Sequence, residues 1–234
     1  MMFYVMPKKI QLAPSQAKWQ LESSQSVLIL VGLQNLRAHS SIADSMLMSN
    51  LVSITQKAKS LNIPIVDLYG DDLIQGMQQL GEYTATHPQL IFAGEITPTV
   101  KQILPYLHSV TEQICLVDDA VLLSSQEQHI HWLDHMSEQG FRHMNSYSLT
   151  RLWALSAPKE WILSTQGILL AVAEQLEIEV LEIDPHISLQ SYGLDSVAIV
   201  TLVGLWRANG ATIRYEDFEQ GLTLSQLLEK LVQP

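Results

Sequence analysis

The chain has 234 residues, 47% of them hydrophobic and 16% charged, a globular composition that excludes a disordered chain. Its formal charge of −11 argues against nucleic acid and anionic membranes as partners, and no apolar run is long enough for a membrane span. The single cysteine, Cys115, excludes an intramolecular disulfide framework and a multi-cysteine zinc site.

The length suits a medium domain followed by a small one. The N-terminus carries its lysines after apolar residues and has no small-residue cleavage site, so a cytoplasmic protein is expected. Strands are predicted at Val27–Val31, Ile63–Leu68, Leu90–Ala93, Ile114–Val117 and Phe141–Met144. Helical spacing of apolar residues marks Ile42–Leu61, Thr97–Leu107, Ser125–Gln139 and the shorter Ser148–Leu155. Apolar strands alternating with amphipathic helices imply a parallel sheet covered on both faces, a doubly wound α/β domain. Cys115, in the apolar run Ile114–Val117, reads as a buried strand thiol.

Ala157-Pro158-Lys159 interrupts this pattern, giving a domain at 1–155, a linker at 156–160 and a second domain at 161–234. The second domain reads as a small four-helix bundle. Its first helix is expected from about Glu160 to Leu176, followed by a long loop with Asp184-Pro185 and Gly193. The next opens at Asp195 or Ser196 and stops at Asn209-Gly210. A short turn at Tyr215–Glu219 leads to a last helix that begins with the capping pattern Thr223-Leu224-Ser225-Gln226. Residues 160–234 hold 11 acidic and 3 basic side chains, so this small domain carries most of the negative charge. Such a charge suits steering toward basic partner proteins, and solubility alone explains it equally well.

The tetrad Gly193-Leu194-Asp195-Ser196 is the one motif that carries chemistry. A hydroxyl at a helix start sits beside unpaired amide donors and the positive end of the helix dipole, a good place for a phosphate. Gly193 lets the loop turn sharply into the helix. Asp195 adds a carboxylate that can help an incoming enzyme hold a magnesium ion during phosphoryl transfer. Leu194 and Val197 offer apolar contacts on either side. No triad partner for Ser196 is visible, in contrast with activated serines.

Leu189–Val197 resembles the attachment site of carrier proteins, and of aryl carrier proteins of siderophore synthesis in particular. Thr201–Arg207 is similar to the rest of their second helix, Ile213–Phe218 to their short third helix, and Leu222–Leu224 to the start of their fourth. The resemblance implies 4'-phosphopantetheine joined to Ser196 by a phosphopantetheinyl transferase, with Gly193, Leu194 and Asp195 around it. It also implies an aryl-acid adenylation enzyme that loads 2,3-dihydroxybenzoate or salicylate, and a nonribosomal peptide synthetase condensation domain downstream. Val197, Val200, Tyr215, Phe218 and Glu219 lie where such carriers present partner-facing surface, with core packing or a neutral surface position as the rival reading of each.

The first domain resembles the isochorismatase branch of the cysteine-hydrolase superfamily: Pro14-Ser15 through Leu21, Val27–Asn35, and Val117–Ala120 to His129 follow that family's order. Two charged groups of the family's chemistry are missing. Gly32 stands at the position of the acid/base aspartate, and no lysine or arginine occurs between Lys59 and Lys101, where the family lysine belongs. Leu73–Pro88 is also too short for the family's usual insertion. Proton transfer needs a titratable group within hydrogen-bond reach, so loss of isochorismatase activity is expected. The domain is then a scaffold for folding, docking or a homodimer. The alternatives are an active hydrolase with relocated residues, a carrier domain that is never loaded, and a carrier for an amino acid or other acyl group.

His131-Trp132-Leu133-Asp134-His135 spaces two histidines at i and i+4 without a clear third ligand, and a solvated helix face is the better reading. Asp71-Asp72 and Asp118-Asp119 follow predicted strands, where α/β sites often form; a vestige of a ligand pocket is one reading of each pair, and exposed loop carboxylates are the better one. Gly70 and Gly94 show no dinucleotide-binding fingerprint.

Overall fold

A computed structural model describes residues 15, 17–38, 45–68, 73–218 and 221–232. They divide into two compact units, one reaching Ser156 without residues 59–61, the other holding 59–61 and the chain from Ala157.

The first unit is built on five parallel strands in the order β2-β1-β3-β4-β5. These are β1 Ser26–Val31, β2 Ile65–Leu68, β3 Gln89–Glu95, β4 Ile114–Leu122 and β5 Arg142–Met144. Every residue of β1 is buried, as are all of β3 but Glu95. A strand buried on both pleat faces must be covered on both, which is the doubly wound arrangement that the unbroken apolar runs predict. The strand order reverses between β1 and β3, so their carboxyl ends flank the topological switch point.

The connecting helices are α1 Leu33–Ala38, α2 Met46–Ser60, α3 Leu73–Thr84, α4 Pro98–Val110, α5 Gln126–Glu138 and α6 Ser146–Ser156. Two of them, α1 and α3, are not anticipated by the sequence reading. The Thr97 hydroxyl accepts the Val100 amide hydrogen to start α4, with Pro98 in its first turn, and Ser125 caps α5 in the same way. Residues 42–44 of the expected Ile42–Leu61 helix lie outside the described residues.

One correction concerns Asp118 and Asp119, which are not loop carboxylates. They lie inside β4, in a stretch where the pairing with β3 jumps from Phe92–Leu116 to Gly94–Val121. Asp118 is buried and Asp119 half-buried in this irregular stretch. Asp118 is 8% exposed, and the Asp119 carboxylate accepts from the Ser146 amide at 2.7 Å and the Ser146 hydroxyl at 2.8 Å, tying β4 to the start of α6. Burial raises the Asp119 carboxyl above its usual range, against the lowering effect of those hydrogen bonds.

The second unit is helical: α7 Lys159–Ile162, α8 Thr165–Leu176, α9 Ser196–Ala208 and α10 Leu224–Leu231, with 3-10 turns at Val180–Glu182, Leu189–Tyr192 and Tyr215–Phe218. The expected single helix from Glu160 to Leu176 is two. Ser164 breaks it by accepting the Gly167 amide hydrogen at 3.0 Å and donating to the Trp161 carbonyl at 2.7 Å. A Cβ on Gly167 would come within 2.0 Å of that carbonyl, so glycine is required for the joint. The core gathers Ile168, Val172, Leu189, Leu194, Ile199, Leu202, Trp206, Phe218 and Leu227. Both halves of the capping box at Thr223 and Gln226 are formed.

Candidate functional site

The helix α9 begins where the tetrad places it. Asp195 is the N-cap, in extended conformation, and its Oδ1 accepts the Ala198 amide hydrogen at 2.8 Å. Ser196 is therefore the first helical residue, exposed, and among the described residues nothing hydrogen-bonds its hydroxyl or its amide. The Val197 amide is likewise unpaired among the described residues, as the first turn of a helix requires. An oxygen nucleophile, two unpaired N–H donors and a helix dipole thus converge on one exposed point, a donor set suited to a phosphodiester.

The approach to Ser196 is built by a turn and an anchor. Leu189–Tyr192 forms a 3-10 turn closed by Gly193, whose φ of +98° lies in the left-handed region that glycine tolerates. A Cβ on Gly193 would meet nothing within 4 Å, so the requirement is one of backbone conformation and not of space. Leu194 is 3% exposed and packs into the helical core. This corrects the expectation that it contacts the arm; it instead pins the loop while Asp195 and Ser196 face solvent. The Tyr192 hydroxyl accepts the Asp184 amide hydrogen at 2.8 Å, and the Leu189 amide donates to the Leu222 carbonyl at 3.0 Å, fixing the turn to the rest of the loop and to the entry of α10.

The residues expected at a partner surface separate. Val197 and Val200 are 72% and 60% exposed, and Tyr215 is 38% exposed. Phe218 is 1% exposed and belongs to the core, a correction. Of the two aromatics of this turn the core takes Phe218, packed among Leu189, Trp206 and Leu227, the core-packing alternative for this residue. Glu219 lies outside the described residues. Asp217 holds this turn through the Arg214 amide at 2.8 Å and the Lys230 ammonium at 3.0 Å, and these bonds lower its carboxyl pKa.

Residues 166–231 match the family model described as "Phosphopantetheine attachment site". The second unit is a phosphopantetheine-binding domain. Its cofactor is 4'-phosphopantetheine, held covalently, and the domain works as a carrier with a phosphopantetheinyl transferase and synthetase components as partners. No curated protein matches the chain. Two solved structures are similar over the fold: the MAR1 ribonuclease from Caenorhabditis elegans and YcaC from Pseudomonas aeruginosa bearing hexane-2,5-diol and covalent acrylamide. The first is 16% identical, with 62% of this chain and 93% of that chain covered and a TM-score of 0.48. The second is 17% identical, with 81% and 100% covered and a TM-score of 0.47. Neither likeness bears on function.

In the first unit, Gly32 follows β1 with a φ of +62°, and a Cβ built there would lie 3.2 Å from Glu95 Oε2. Glu95, which the sequence reading does not single out, therefore brings a half-buried carboxylate to the switch point beside the glycine. Gly94 has a φ of +106°, and its Cβ would fall 2.2 Å from the Val31 carbonyl oxygen, so the two strand ends approach through glycine alone. His131 and His135 are exposed on α5, and among the described residues no cluster of histidine, cysteine, aspartate or glutamate is placed to hold a metal ion. His129 on the same helix is buried, its Nε2 2.7 Å from the Asp118 carbonyl oxygen, and burial lowers its pKa. Cys115 is fully buried, which raises its thiol pKa and makes it inert. Asp71, Asp72, Gly70 and Pro14 lie outside the described residues. Among the described residues no helix is long and apolar enough to cross a membrane.

Proposed function

We propose that the chain is an aryl carrier protein whose Ser196 holds the phosphopantetheine arm. The observation that carries this reading is the exposed Ser196 hydroxyl on the first turn of α9, inside the segment matched as an attachment domain. In the transfer, Ser196 Oγ bonds to the phosphorus next to the pantetheine of coenzyme A. The pyrophosphate bond breaks, adenosine 3',5'-bisphosphate leaves, and the hydroxyl proton passes to a base of the transferase. Asp195 keeps one carboxylate oxygen beyond its capping bond for a magnesium ion brought with coenzyme A. The attached arm supplies a thiol that carries the acyl group as a thioester.

The cargo in this reading is 2,3-dihydroxybenzoate or salicylate, delivered by an adenylation enzyme and passed to a condensation domain in siderophore synthesis. The resemblance of Leu189–Val197 to aryl carriers supports it, as does the resemblance of the first unit to isochorismatases. That unit is a non-catalytic scaffold, since Gly32 cannot transfer a proton. Incubation with coenzyme A and a broad-specificity transferase is expected to add the mass of one phosphopantetheine, and Ser196→Ala to abolish the gain. A panel of aryl and amino acids with their adenylating enzymes then reads out the cargo.

Glu95 favours a second reading, a hydrolase with a relocated acid, because its carboxylate stands next to Gly32 at the switch point. Turnover of isochorismate to pyruvate and dihydroxydihydrobenzoate by the purified protein would establish it, and a Glu95→Gln variant would then lose that turnover.

A further inference from the structure

The loop between α8 and α9 presents one leucine in an unusual way. Residues 177–184 read Glu-Ile-Glu-Val-Leu-Glu-Ile-Asp: four apolar residues, four acids and no base. Ile178 and Val180 pack against the helical core and Ile183 is 6% exposed within it, whereas Leu181 is 97% exposed. The cause is local. In the 3-10 turn Val180–Glu182, positions three apart share a side, so Val180 and Ile183 go inward together and Leu181 is turned out. Glu177, Glu179, Glu182 and Asp184 around it are all exposed. A single exposed leucine is ordinary on a protein surface. Here, however, the turn that shows it is anchored on both sides, has acids as its only charged residues from 177 to 184, and is tied to the tetrad loop through the bond from the Asp184 amide to the Tyr192 hydroxyl.

We propose that Leu181 and its acidic border are a docking knob for the phosphopantetheinyl transferase, received by an apolar pocket with a basic rim. The proposal rests on Ser196 being the attachment residue. The transferase must bring its centre onto the serine hydroxyl itself, so its footprint has to cover surface fixed to the tetrad loop. Enzymes that act on the thiol stand off by the length of the arm. The transferase also holds coenzyme A, a polyanion, which requires lysine and arginine about its active centre. That is the complement of an acid-bordered apolar residue. Val197 and Val200 lie on α9 beyond the serine; Leu181 adds a contact from the other side of the tetrad in sequence.

The test follows the rate of phosphopantetheine addition by mass spectrometry on the full chain, using coenzyme A and one broad-specificity transferase. Leu181→Ala is expected to lower kcat/KM about tenfold through KM with kcat held, the size of a buried interface side chain lost. Leu181→Ala in a Glu179→Lys/Glu182→Lys background should fall further, with a weaker salt dependence. Val232→Ala, an exposed valine after α10, serves as the control and should match the wild type. Circular dichroism confirms that each variant is folded. Rates for Leu181→Ala within twofold of wild type overturn the docking knob and leave the attachment reading intact. No addition to the wild type overturns the attachment reading, and the knob with it.

Discussion

The Asp195 carboxylate accepts the Ala198 amide hydrogen at 2.8 Å, which makes Ser196 the first residue of α9 and leaves its hydroxyl facing solvent. The same side chain is thus a cap and, in the proposed transfer, a magnesium ligand. The two roles separate by substitution. Asp195→Ala is expected to cost about 1 kcal/mol through loss of the cap, read as a lower melting temperature of the second unit. Asp195→Asn keeps a capping oxygen, so it should melt near the wild type while its rate of phosphopantetheine addition falls at least tenfold. Equal rates for Asp195→Asn and wild type would remove the magnesium role.

Two glycines of the phosphopantetheine-binding domain should respond differently to alanine. Gly193→Ala meets open space and pays only for a φ of +98°, about 1 kcal/mol by the strain of a left-handed residue with a Cβ. Gly167→Ala places a Cβ 2.0 Å from the Trp161 carbonyl, with backbone on both sides of the clash. It should open the joint between α7 and α8 and cost several times more. Denaturant titration of the second unit compares them directly, and equal losses would mean that the joint yields.

Phe218 and the two exposed valines give the sharpest contrast between core and surface. Phe218→Ala should destabilise the second unit by about 3–5 kcal/mol, enough to unfold much of a small domain. Val197→Ala and Val200→Ala should change stability by less than about 0.5 kcal/mol and act only on partner-dependent rates. Thermal melts with the loading assay check both halves.

The buried His129 sets a pH dependence for the first unit. Burial lowers its pKa below the ordinary 6.5, so the unfolded chain takes up its proton before the folded one does. Stability from this group is therefore present above pH 6.5 and lost as pH falls through the lower folded value. Asp119 has the opposite sign at lower pH: its raised pKa favours the fold below 3.8 and that contribution is lost as pH rises through the folded value. His129→Gln is expected to flatten the loss of stability between pH 7.5 and 5.5, measured by urea midpoints.

If the first unit is a non-catalytic scaffold, as proposed, an aspartate placed at position 32 will not give it activity. Gly32→Asp forces a side chain onto a φ of +62° and points it at Glu95 Oε2, two like charges in contact. The variant is expected to be less stable than wild type and to show no isochorismate turnover. Turnover in Gly32→Asp would overturn the scaffold reading.

Much of this was legible in the residues. Val27–Val31 and Ile114–Val117 mark buried strands because a strand covered on both faces has no polar position to spare. Asp195 and Thr223 are local capping signals, since a cap needs only a short polar side chain and the amides of the next turn; Ser164 caps in the same way but sits inside an apolar pattern that reads as one continuous helix. Ser196 at the start of α9 is legible for the same reason: the capping aspartate and the preceding glycine lie within a few residues of it. Other features depend on what comes from elsewhere in the chain. Phe218 and Leu194 go inward and Val197 and Val200 outward because of which helices cover which side, and an apolar letter is the same in both places. Asp118 and Asp119 look like loop acids until β4 is seen to run through them, burying the first and leaving the second bound by Ser146. Glu95 stands against Gly32 only because two strands distant in sequence are neighbours in the sheet. The sequence by itself thus determined the strands, the caps and the serine, all set by short-range chemistry. Only the tertiary structure decided which apolar residues are free to meet a partner and which carboxylate stands beside Gly32 at the end of β1, because those follow from long-range packing.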